Sequence, residues 1–566
     1  MKILSLYPYT HISSSALLIN GKIVAAACEE RFNREKMSTK FPEKSARWCL
    51  KVSGLDFDDL DLIVVPWNPQ INVNNASNRW INDLRWRGEM FSNIPIHLMK
   101  MIDKKPSNFL EVNWGTNKIK YLNHHDCHAA FGFFQSSFKD ADILTIDGHG
   151  EEETCFIGTA KDKKIKKILS IKYPHSVGLF YGTFTDFLGF KPDSDEWKAM
   201  ALSSYSKSLN KYDKIVSKLY NLTKNGFELN LSFFNYYTFD RKKNFFSEKF
   251  KTFFGNPRLK DNKIKQNHFQ IAAAMQRHFE LIVKHLIKIT KRVGSSKNLV
   301  IGGGAAMNCV FNGKLDDMNI YKDTHISYAP DDSGVAIGAA LLAYNLNSKK
   351  VRKINEIKTC FFGPEYKNNE IIKILKNNKI SFYKPKNLSK EIALQISSGK
   401  LVGWFQDKME FGHRALGNRS ILADPRNPKV KNIVNRAIKF RESFRPFAPA
   451  ILEEYCTKIM NMPIKRKVFF MERAYKFKKK WFKKIPGVVH EDKTGRLQTV
   501  SKSTNEKFYR LIEEFYKITK VPVLLNTSFN LNGEPIVMTP NDAIRTFYNC
   551  GLDILVLGDL VIEKQK

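Results

Sequence analysis

The sequence lacks the segments that direct a chain into or across a membrane. Its first residues, Met1 to Tyr7, have neither the charged start, the long apolar stretch nor the small-residue cleavage site of a secretory signal. No uninterrupted apolar run approaches the roughly 20 residues that a membrane helix requires. We therefore expect a cytoplasmic protein that is not a membrane protein.

Cysteine is scarce and follows no binding pattern. The eight cysteines are scattered, and no C-x-x-C pair indicates a zinc knuckle or a redox dithiol. The sequence therefore predicts free thiols and no disulfide framework. The cysteines are Cys28, Cys49, Cys127, Cys155, Cys309, Cys360, Cys456 and Cys550.

Acidic residues are too few to balance the basic ones, and the net charge is +36. Such a charge favours nucleic acid as a partner where Lys and Arg cluster. Here the excess is mostly lysine, spread through segments rich in Asn, Ile and Phe, which is typical of compositional bias, so no nucleic-acid partner is expected. The densest run, residues 465–484, is interpreted as a solvated face, with a polyanion or membrane surface as the alternative.

The chain has the length and the apolar content for more than one core, with 566 residues of which 43% are hydrophobic. The polar, basic segment 345–358 predicts a boundary between domains 1–350 and 351–566, both α/β. Residues 206–265, rich in Lys, Asn and Phe, predict an insertion covering the first domain. The sequence does not indicate an oligomeric state.

Local patterns predict several elements of the first domain. Asn20-Gly21 between two apolar runs predicts a hairpin, because both residues tolerate positive φ. Strand-like residues 143–146 and 298–301 run into an acidic turn and a glycine run, respectively. Apolar residues at spacings of four predict a helix over 270–289.

Four side chains are candidate metal ligands. His124 and His128 are four residues apart, a spacing that puts both imidazoles on one face of a helix. Asp147 follows a predicted strand, and Asp332 precedes a predicted helix. Two imidazoles and two carboxylates suit an octahedral iron, manganese or zinc ion with open positions. The alternative is an accidental histidine pair on a helix surface or in a satisfied core.

Other segments favour anion binding. Gly302-Gly303-Gly304 after a strand lets backbone amides approach a phosphate, and Asn308 could hydrogen-bond a nucleotide, although the run matches neither G-x-G-x-x-G nor a P-loop. Arginines recur among glycines and prolines in 411–420 and 439–446, where planar forked donors suit a phosphate or a carbamoyl oxygen. Arginines paired to structural acids are the alternative.

In order along the chain, these segments resemble the NodU/CmcH type of O-carbamoyltransferase, and the match covers nearly the whole chain. The motifs that carry it are His11-Ile12-Ser13-Ser14-Ser15, Glu29-Glu30-Arg31-Phe32-Asn33-Arg34, His124-His125-Asp126-Cys127-His128-Ala129-Ala130, Glu196 to Leu202, Gly302 to Asn308, Met409 to Pro449, Leu525 to Asn530 and Gly533 to Val537.

The resemblance implies an actin/Hsp70/sugar-kinase-like first domain, built as a duplicated ribonuclease-H-like fold, and a YrdC-like second domain. It also implies a two-step reaction. The second domain binds carbamoyl phosphate and uses ATP to make carbamoyl adenylate, and the first domain transfers the carbamoyl group to a hydroxyl of a small acceptor. A sugar, a glycan precursor or a secondary metabolite would fit as acceptor.

The resemblance also implies a role for individual residues. The metal, iron(II) or another divalent ion, would be held by His124, His128, Asp147 and Asp332. The nucleotide turn would comprise Gly303, Gly304 and Asn308, with Lys198 near its phosphate. His11 would approach the acceptor hydroxyl as a general base, since imidazole titrates near neutral pH. The carbamoyl-phosphate pocket would comprise Arg419, Lys439, Arg441, Arg445, Arg496 and Asn526.

The chain departs from the family pattern at two positions, Ile12 in place of an acid and His413 in place of a proline. Two other functions remain open at this point. A tRNA threonylcarbamoyl-type modification enzyme would suit the domain types and the charge, and its tRNA binding would show a steep salt dependence. A non-enzymatic polyanion-binding protein would lose no ligand when Arg419 or His128 is changed.

Overall fold

A computed structural model describes residues 1–9, 12–69, 71, 94, 97, 98, 118–238, 243–349 and 356–564. The contacts divide the chain into two compact units. Unit 1 comprises Met1–Glu29, Met37–Asn308 and Leu315–Ile357. Unit 2 comprises Glu30–Lys36, Cys309–Lys314 and Lys358–Lys566.

Unit 1 contains two five-stranded mixed sheets. In the first sheet the strand order is β3-β2-β1-β4-β5, with β1, β2 and β3 antiparallel and with β4 and β5 parallel to β1. Its strands are β1 (Lys2–Tyr7), β2 (Ser14–Ile19), β3 (Lys22–Cys28), β4 (Leu62–Val65) and β5 (Ile119–Tyr121).

The second sheet repeats this topology with the order β8-β7-β6-β11-β12. Strands β6, β7 and β8 are antiparallel, and β11 and β12 continue parallel to β6. Its strands are β6 (Asp140–Ile146), β7 (Glu153–Lys161), β8 (Lys164–Lys172), β11 (Asn298–Gly302) and β12 (Asp323–Ile326). A separate hairpin joins β9 (Tyr220–Thr223) to β10 (Gly226–Leu229).

The β2–β3 hairpin confirms the prediction from Asn20-Gly21. These residues adopt φ values of 50° and 80° in the turn that joins the paired strands. Positive φ at both central positions gives the turn a twist that matches the strands, which is why Asn-Gly is favoured there.

Helices fill the space around the sheets. The helix predicted over 270–289 is confirmed as part of a longer one, Gln266–Val293. The helices are α1 (Glu30–Asn33), α2 (Glu43–Lys51), α3 (His124–Phe134), α4 (Val177–Phe187), α5 (Glu196–Ser203), α6 (Lys211–Val216), α7 (Glu248–Phe254), α8 (Gln266–Val293), α9 (Cys309–Asn312), α10 (Asp332–Asn347), α11 (Asn368–Asn377), α12 (Leu388–Ser397), α13 (Val430–Val434), α14 (Cys456–Ile459), α15 (Glu506–Thr519) and α16 (Pro540–Tyr548).

Two helices occupy equivalent places in the repeated topology of unit 1. Helix α3 follows β5 and helix α10 follows β12, so each comes after the last strand of its own sheet. They pack against each other, and nearly all their residues are buried. A helix that is buried on most of its sides lies in the core of its domain. The polar side chains at their first turns are therefore held rigidly.

The segment 206–265 carries its own short elements, namely α6, the β9–β10 hairpin and α7. Phe250 and Phe254 of α7 stack with ring centroids 4.2 Å apart and contact Phe184 and Phe187 of α4. The phenylalanines that make this segment unusual in composition thus pack it onto unit 1.

Unit 2 is built on a seven-stranded mixed sheet in the order β18-β15-β19-β14-β13-β20-β21, with a two-stranded sheet of β16 and β17 beside it. Helices α11, α12, α15 and α16 contribute to its apolar core. The strands are β13 (Val402–Phe405), β14 (Arg419–Ala423), β15 (Ala448–Leu452), β16 (Ala474–Lys476), β17 (Thr494–Arg496), β18 (Gln498–Val500), β19 (Val523–Ser528), β20 (Ile554–Leu557) and β21 (Leu560–Glu563).

Two further findings concern the cysteines and the helices. All eight cysteines are free and buried, as the sequence predicts. Within the described residues, no helix combines the length and the apolarity that crossing a membrane would take.

Candidate metal centre and anion pocket

The chain topology of unit 1 brings together residues that are far apart in sequence. Asp147 directly follows β6, and Gly303 directly follows β11, the parallel neighbour of β6 in the sheet. Parallel strands end at the same edge of a sheet, and loops at that edge are where ligands bind in open α/β folds. Asp332 opens α10, and His124 opens α3. The four predicted metal ligands therefore meet at one place.

The ligand atoms of these four residues all lie within 4.8 Å of one another. Nε2 of His124 lies 3.0 Å from Nε2 of His128, and both nitrogens lie 3.1 Å from Oδ2 of Asp147. Both also lie 3.4 Å from Oδ1 of Asp332. Adjacent ligands bonded at about 2.1 Å to one ion are separated by about 3.0 Å in octahedral and about 3.4 Å in tetrahedral geometry. The observed spacings match that range.

A positive charge at the centre of the cluster would stabilise its two buried carboxylates. Two carboxylates in one buried place repel each other unless positive charge lies between them. Burial by itself would lower the pKa of the His124 imidazole, yet the Asp332 and Asp147 carboxylates raise that pKa well above its ordinary value. The pKa of His128 is raised for the same reason, against burial and the neighbouring His124. A divalent ion supplies the same positive charge without protonating either imidazole, so the donor set fits a metal.

Hydrogen bonds behind the cluster orient the ligands. Nδ1 of His124 lies 3.3 Å from the Pro66 carbonyl, so it donates there and leaves Nε2 with a lone pair for the cluster. The Gly304 amide donates to Oδ1 of Asp147 at 3.0 Å. The Tyr7 hydroxyl donates to Oδ2 of Asp332 at 2.7 Å. Each carboxylate thus has one oxygen fixed and the other directed at the imidazoles.

The intervening histidine, His125, does not belong to the cluster. Its Nε2 lies 3.0 Å from the Glu153 carbonyl and its Nδ1 lies 2.6 Å from Oγ1 of Thr145. Burial, together with the nearby His124 and His128, lowers the pKa of this imidazole to about 3. His125 is therefore a neutral structural residue, in contrast to the candidate ligands His124 and His128.

Sequence reasoning missed two residues that support the cluster. The Glu151 carboxylate accepts hydrogen bonds from the backbone amides of His124 at 3.0 Å and Asn68 at 2.7 Å. The bond to His124 caps the start of α3. Tyr7 lies at the end of β1 and reaches Asp332, 325 positions away. An acidic residue shortly after Asp147 was visible in the sequence, but only the fold shows what Tyr7 contacts.

We expect Tyr7→Phe to weaken divalent-metal binding by roughly tenfold, because an outer hydrogen bond to a ligating carboxylate typically contributes ten- to a hundredfold in affinity. Titration of metal-free protein with Fe²⁺ or Mn²⁺ under anaerobic conditions measures the change. Tyr181→Phe is the matched control, since it removes a buried hydroxyl of unit 1 that bonds Oε1 of Gln276 at 2.9 Å instead. Equal metal affinity of the two variants would remove Tyr7 from the site.

The glycine turn lies directly against the cluster. Gly303 has φ 85°, and a Cβ there would stand 2.2 Å from the Ile146 carbonyl oxygen, so no other residue fits. Its neighbour Gly304 contacts the Asp147 carboxylate. Asn308, in contrast, exchanges amide hydrogen bonds with the Gln276 side chain at 2.9 and 3.1 Å.

Lys198 lies on α5, where its ammonium bonds Oδ2 of Asp195 at 2.9 Å and lies over the rings of Phe190 and Trp197. These contacts do not bring it to the glycine turn, so its predicted role at a nucleotide phosphate stays a prediction. His11 lies outside the described residues, and its predicted role as a general base also stays a prediction.

In unit 2, a group of cations lies where the sequence predicted a phosphate pocket. Burial, followed by the neighbouring Arg441, Arg445 and Lys36, lowers the pKa of the Lys439 ammonium well below its ordinary value. Burial and the adjacent Arg445 lower the pKa of Arg441 to about 9, with a smaller effect of Arg496. Like charges this close are stable only when an anion or fixed dipoles compensate them. Lys36 of the short segment Glu30–Lys36 was not among the predicted residues.

Part of this positive charge is already compensated. The Lys439 ammonium donates to oxygens of the turn Ser528–Asn530, including Oδ1 of Asn530 at 2.7 Å. Nη1 of Arg445 bonds the Glu442 carboxylate at 3.0 Å, and Nε of Arg441 bonds the Asn435 side chain at 2.7 Å.

Polar atoms of two pocket residues, in addition to Nε of Arg419, have no hydrogen-bond partner in the described parts of the chain. They are Nε of Arg496, at the end of β17, and Oδ1 of Asn526, in β19, and both are buried. Nδ2 of Asn526 donates to Oε1 of Gln498, two residues beyond Arg496, at 2.8 Å. A buried donor and a buried acceptor without partners cost free energy unless a ligand satisfies them.

Arg419 differs from the other predicted pocket residues. Its guanidinium is fully buried, stacks on the Phe405 ring 3.6 Å from the centroid, and donates to backbone carbonyls. The acceptors are the carbonyls of Gln406, Asn418, Pro364 and Asp407. The sequence allowed two interpretations of each arginine, anion binding or pairing with a structural acid. Arg419 follows a third pattern, since four backbone carbonyl oxygens hold its guanidinium.

Comparison with protein families gives two matches that together span most of the chain. The family model described as Carbamoyltransferase N-terminus matches residues 2–341. The model described as Carbamoyltransferase C-terminus matches residues 393–564. The metal cluster falls in the first match, and the anion pocket falls mainly in the second.

Individual relatives agree with these matches. An uncharacterized protein of Synechocystis sp. is 35% identical, over 99% of this chain and 96% of that protein. Nodulation protein NolNO of Sinorhizobium fredii is 32% identical, over 98% of this chain and 79% of that protein. Among solved structures, HypF of T. kodakarensis is similar at a TM-score of 0.31 and 12% identity, covering 61% of this chain and 48% of that chain, a likeness too weak to support any inference.

Proposed function

Since the chain belongs to the carbamoyltransferase family, we propose that it uses ATP and carbamoyl phosphate to transfer a carbamoyl group onto a hydroxyl of a small acceptor. A sugar or glycan precursor is the acceptor class that we propose. Unit 2 would form the activated carbamoyl adenylate, and unit 1 would transfer the carbamoyl group.

The observation that carries this proposal is the combination of charges and unpartnered atoms in unit 2. Carbamoyl phosphate has a doubly charged phosphate at one end and an amide N–H₂ at the other. The cations Lys439, Arg441 and Arg496 suit the phosphate, since charge-assisted bonds to phosphate oxygens are strong. The unpartnered Oδ1 of Asn526 suits the amide, which needs an acceptor.

The proposed activation step balances with ATP as co-substrate. Water cleaves carbamoyl phosphate to carbamate and inorganic phosphate, and a carbamate oxygen then attacks the α-phosphorus of ATP. Pyrophosphate leaves, and carbamoyl adenylate remains. Fixed guanidinium groups stabilise negative charge as it develops on phosphate oxygens without reorganising during the reaction. Arg419 would act by holding the loop that leads from Gln406 to its own strand, because both of its terminal nitrogens already donate to carbonyls.

In the transfer step, the acceptor hydroxyl attacks the carbamoyl carbon and AMP leaves. His124, His128, Asp147 and Asp332 would hold iron(II) or another divalent metal, which when bound supplies Lewis-acid polarisation and a fixed point for orienting the ester. The glycine turn Gly303-Gly304 offers backbone N–H groups beside it without side chains in the way. We propose that Asn308 acts with Gln276 at this turn.

The repeated strand order in unit 1 supports the proposal of a duplicated ribonuclease-H-like domain of the actin/Hsp70/sugar-kinase type. Each sheet has three antiparallel strands followed by two parallel strands, as expected when one fold is duplicated. For unit 2 we propose the YrdC-like assignment, which its seven-stranded mixed sheet with flanking helices allows.

The proposal is tested by mass spectrometry of hydroxylated sugars incubated with the protein, ATP, carbamoyl phosphate and Fe²⁺. We expect products heavier by one carbamoyl group, with release of AMP and pyrophosphate in equal amounts. Omission of ATP is the control. Product formation without ATP, or pyrophosphate release that does not depend on carbamoyl phosphate, would contradict the two-step reaction.

A further inference from the structure

We propose that unit 2 binds anionic membrane surfaces through a lysine face composed of Lys458, Lys476, Lys479, Lys480, Lys483, Lys484 and Lys493. All seven side chains are exposed. The proposal concerns a surface that the carbamoyl-transfer chemistry does not use, so it stands or falls independently of the proposed function.

Backbone pairing brings these lysines together although they span 36 positions of the chain. Lys476 is the register partner of Thr494, the residue after Lys493, in the β16–β17 sheet. The Phe477 amide donates to the Lys493 carbonyl at 2.9 Å. The Trp481 indole donates to the Lys458 carbonyl at 3.2 Å. Three separate stretches therefore share one surface.

The turn 479–485 is amphipathic, with its apolar side packed into the core of unit 2 and its lysines exposed. Ile485 donates its amide to the Trp481 carbonyl at 3.1 Å, so the chain makes a helical turn there. Trp481 and Ile485, four residues apart, are buried at 8% and 0% exposure. Lys479 and Lys483, also four apart, point to the other side and are exposed. The aromatic residues interleaved with the lysines thus anchor the turn and leave its charges outside.

These charges lack acidic partners. In the described ranges, no carboxylate forms an ion pair with any lysine of the face, whereas Lys467 nearby pairs with Glu453 and Lys507 pairs with Asp407. The nearest acids in sequence, Glu491 and Asp492, lie at one end beside Lys493, and Asp492 accepts from Thr494. Unpaired surface lysines repel each other and gain free energy when an anionic surface approaches.

An apolar loop tip lies next to the lysine face. Asn461 donates its amide to the Lys476 carbonyl at 2.8 Å, and the chain then leaves the sheet as Met462-Pro463-Ile464. Ile464 is 83% exposed, the largest exposed fraction of any large apolar side chain described. Lys465, Arg466 and Lys467 follow immediately. An exposed apolar tip flanked by basic residues combines the two forces that hold peripheral proteins on anionic lipids.

The chemistry of the face favours a lipid surface over nucleic acid. It consists of lysines, which act as hydrated point charges, whereas bidentate recognition of nucleic-acid phosphates favours arginine. Its aromatic rings are turned inward, since Trp481 and Phe477 are buried and are not available for stacking on bases. The apolar side chain of Ile464 can insert into a bilayer, whereas a phosphate backbone offers it no apolar contact.

The test is binding of the full chain to vesicles of phosphatidylcholine alone and of phosphatidylcholine with one third phosphatidylglycerol. We expect binding to the anionic vesicles at least tenfold tighter, weakening as salt rises. The quadruple variant K479E/K480E/K483E/K484E should lose about a hundredfold or more of this affinity, since each lysine near the surface contributes appreciably. Lysine-to-glutamine changes at the same positions provide a second, milder variant.

The matched control is K373E/K376E/K379E/K390E, which changes the net charge equally on α11, on the turn after it and on α12 of the same unit, again at exposed lysines. It should keep most of the vesicle binding. Ile464→Ser should weaken vesicle binding about three- to tenfold and leave retention of RNA unchanged. Equal losses in the two quadruple variants would reduce the effect to overall charge and overturn the proposal. So would RNA retention that responds to the lysine face while vesicle binding does not.

Discussion

Replacing His128 with alanine is expected to remove the bound metal from unit 1 and to lower carbamoyl transfer at least about a thousandfold, while carbamoyl adenylate continues to form. The imidazole is fully buried, and Nε2 faces His124, Asp147 and Asp332 at 3.0 to 3.4 Å. Its loss removes one of the four proposed ligands and leaves one imidazole, that of His124, beside the two carboxylates. Lewis-acid stabilisation contributes several kcal/mol to such a reaction.

Two measurements separate this result from simple unfolding. Metal content after desalting should fall from about one ion per chain to near zero, and pyrophosphate release from ATP and carbamoyl phosphate should stay near its original rate. His325→Ala is the matched control, because His325 also lies in unit 1 but contacts Oγ of Ser327 at 3.1 Å. Retained metal in His128→Ala would contradict the proposed ligand set.

Replacing Arg496 with methionine is expected to have the reverse effect, namely loss of the activation step with the metal content unchanged. Nε of Arg496 is buried without a partner, so a phosphate oxygen is the group that would satisfy it. A charge-assisted hydrogen bond to phosphate contributes roughly 1.5–3 kcal/mol, which corresponds to about a ten- to hundredfold loss in affinity for carbamoyl phosphate. Loss of positive charge at the reacting phosphates adds to the effect on rate.

Isothermal titration with carbamoyl phosphate and with inorganic phosphate measures the affinity, and pyrophosphate release measures the rate. Arg510→Met is the control, since Arg510 is an exposed arginine of unit 2 that pairs with Glu506 at 2.6 Å. Arg496→Lys keeps the charge but loses the planar fork, and we expect it to recover only part of the affinity. Unchanged phosphate affinity in Arg496→Met would place the pocket elsewhere.

The four candidate metal ligands could be singled out from the sequence because their signals are local. A four-residue histidine spacing on a helix and a carboxylate after a buried strand each follow from the geometry of one element. Their convergence required the resemblance to a family, since periodicity alone does not tell which strand ends share an edge. Tyr7 is a residue of the site that sequence patterns could not have predicted. A tyrosine at the end of a strand has no distinguishing pattern, and its bond to Asp332 depends on how two distant segments pack.

The cationic residues of unit 2 show a different limit. Their positions were predictable, but the partners of each side chain were not. Arg419 and Arg496 come from similar glycine-bearing motifs, and Nε of each lacks a partner in the described residues, but only Arg419 also donates from its terminal nitrogens to four backbone carbonyls. Which case applies depends on loop conformations around each arginine. Lys36 likewise could not be assigned to this group, because it lies in a short segment remote in sequence.

The two repeats of unit 1 each contribute residues to the cluster. One repeat contributes Tyr7 from the end of β1 and the histidines from α3, and the other contributes Asp147 from the end of β6 and Asp332 from α10. The four proposed ligands thus connect the two repeats of unit 1. An ion held by all four would contact both repeats, and a nucleotide ester that also contacts both would strengthen binding of the ion by the factor by which the ion strengthens binding of the ester.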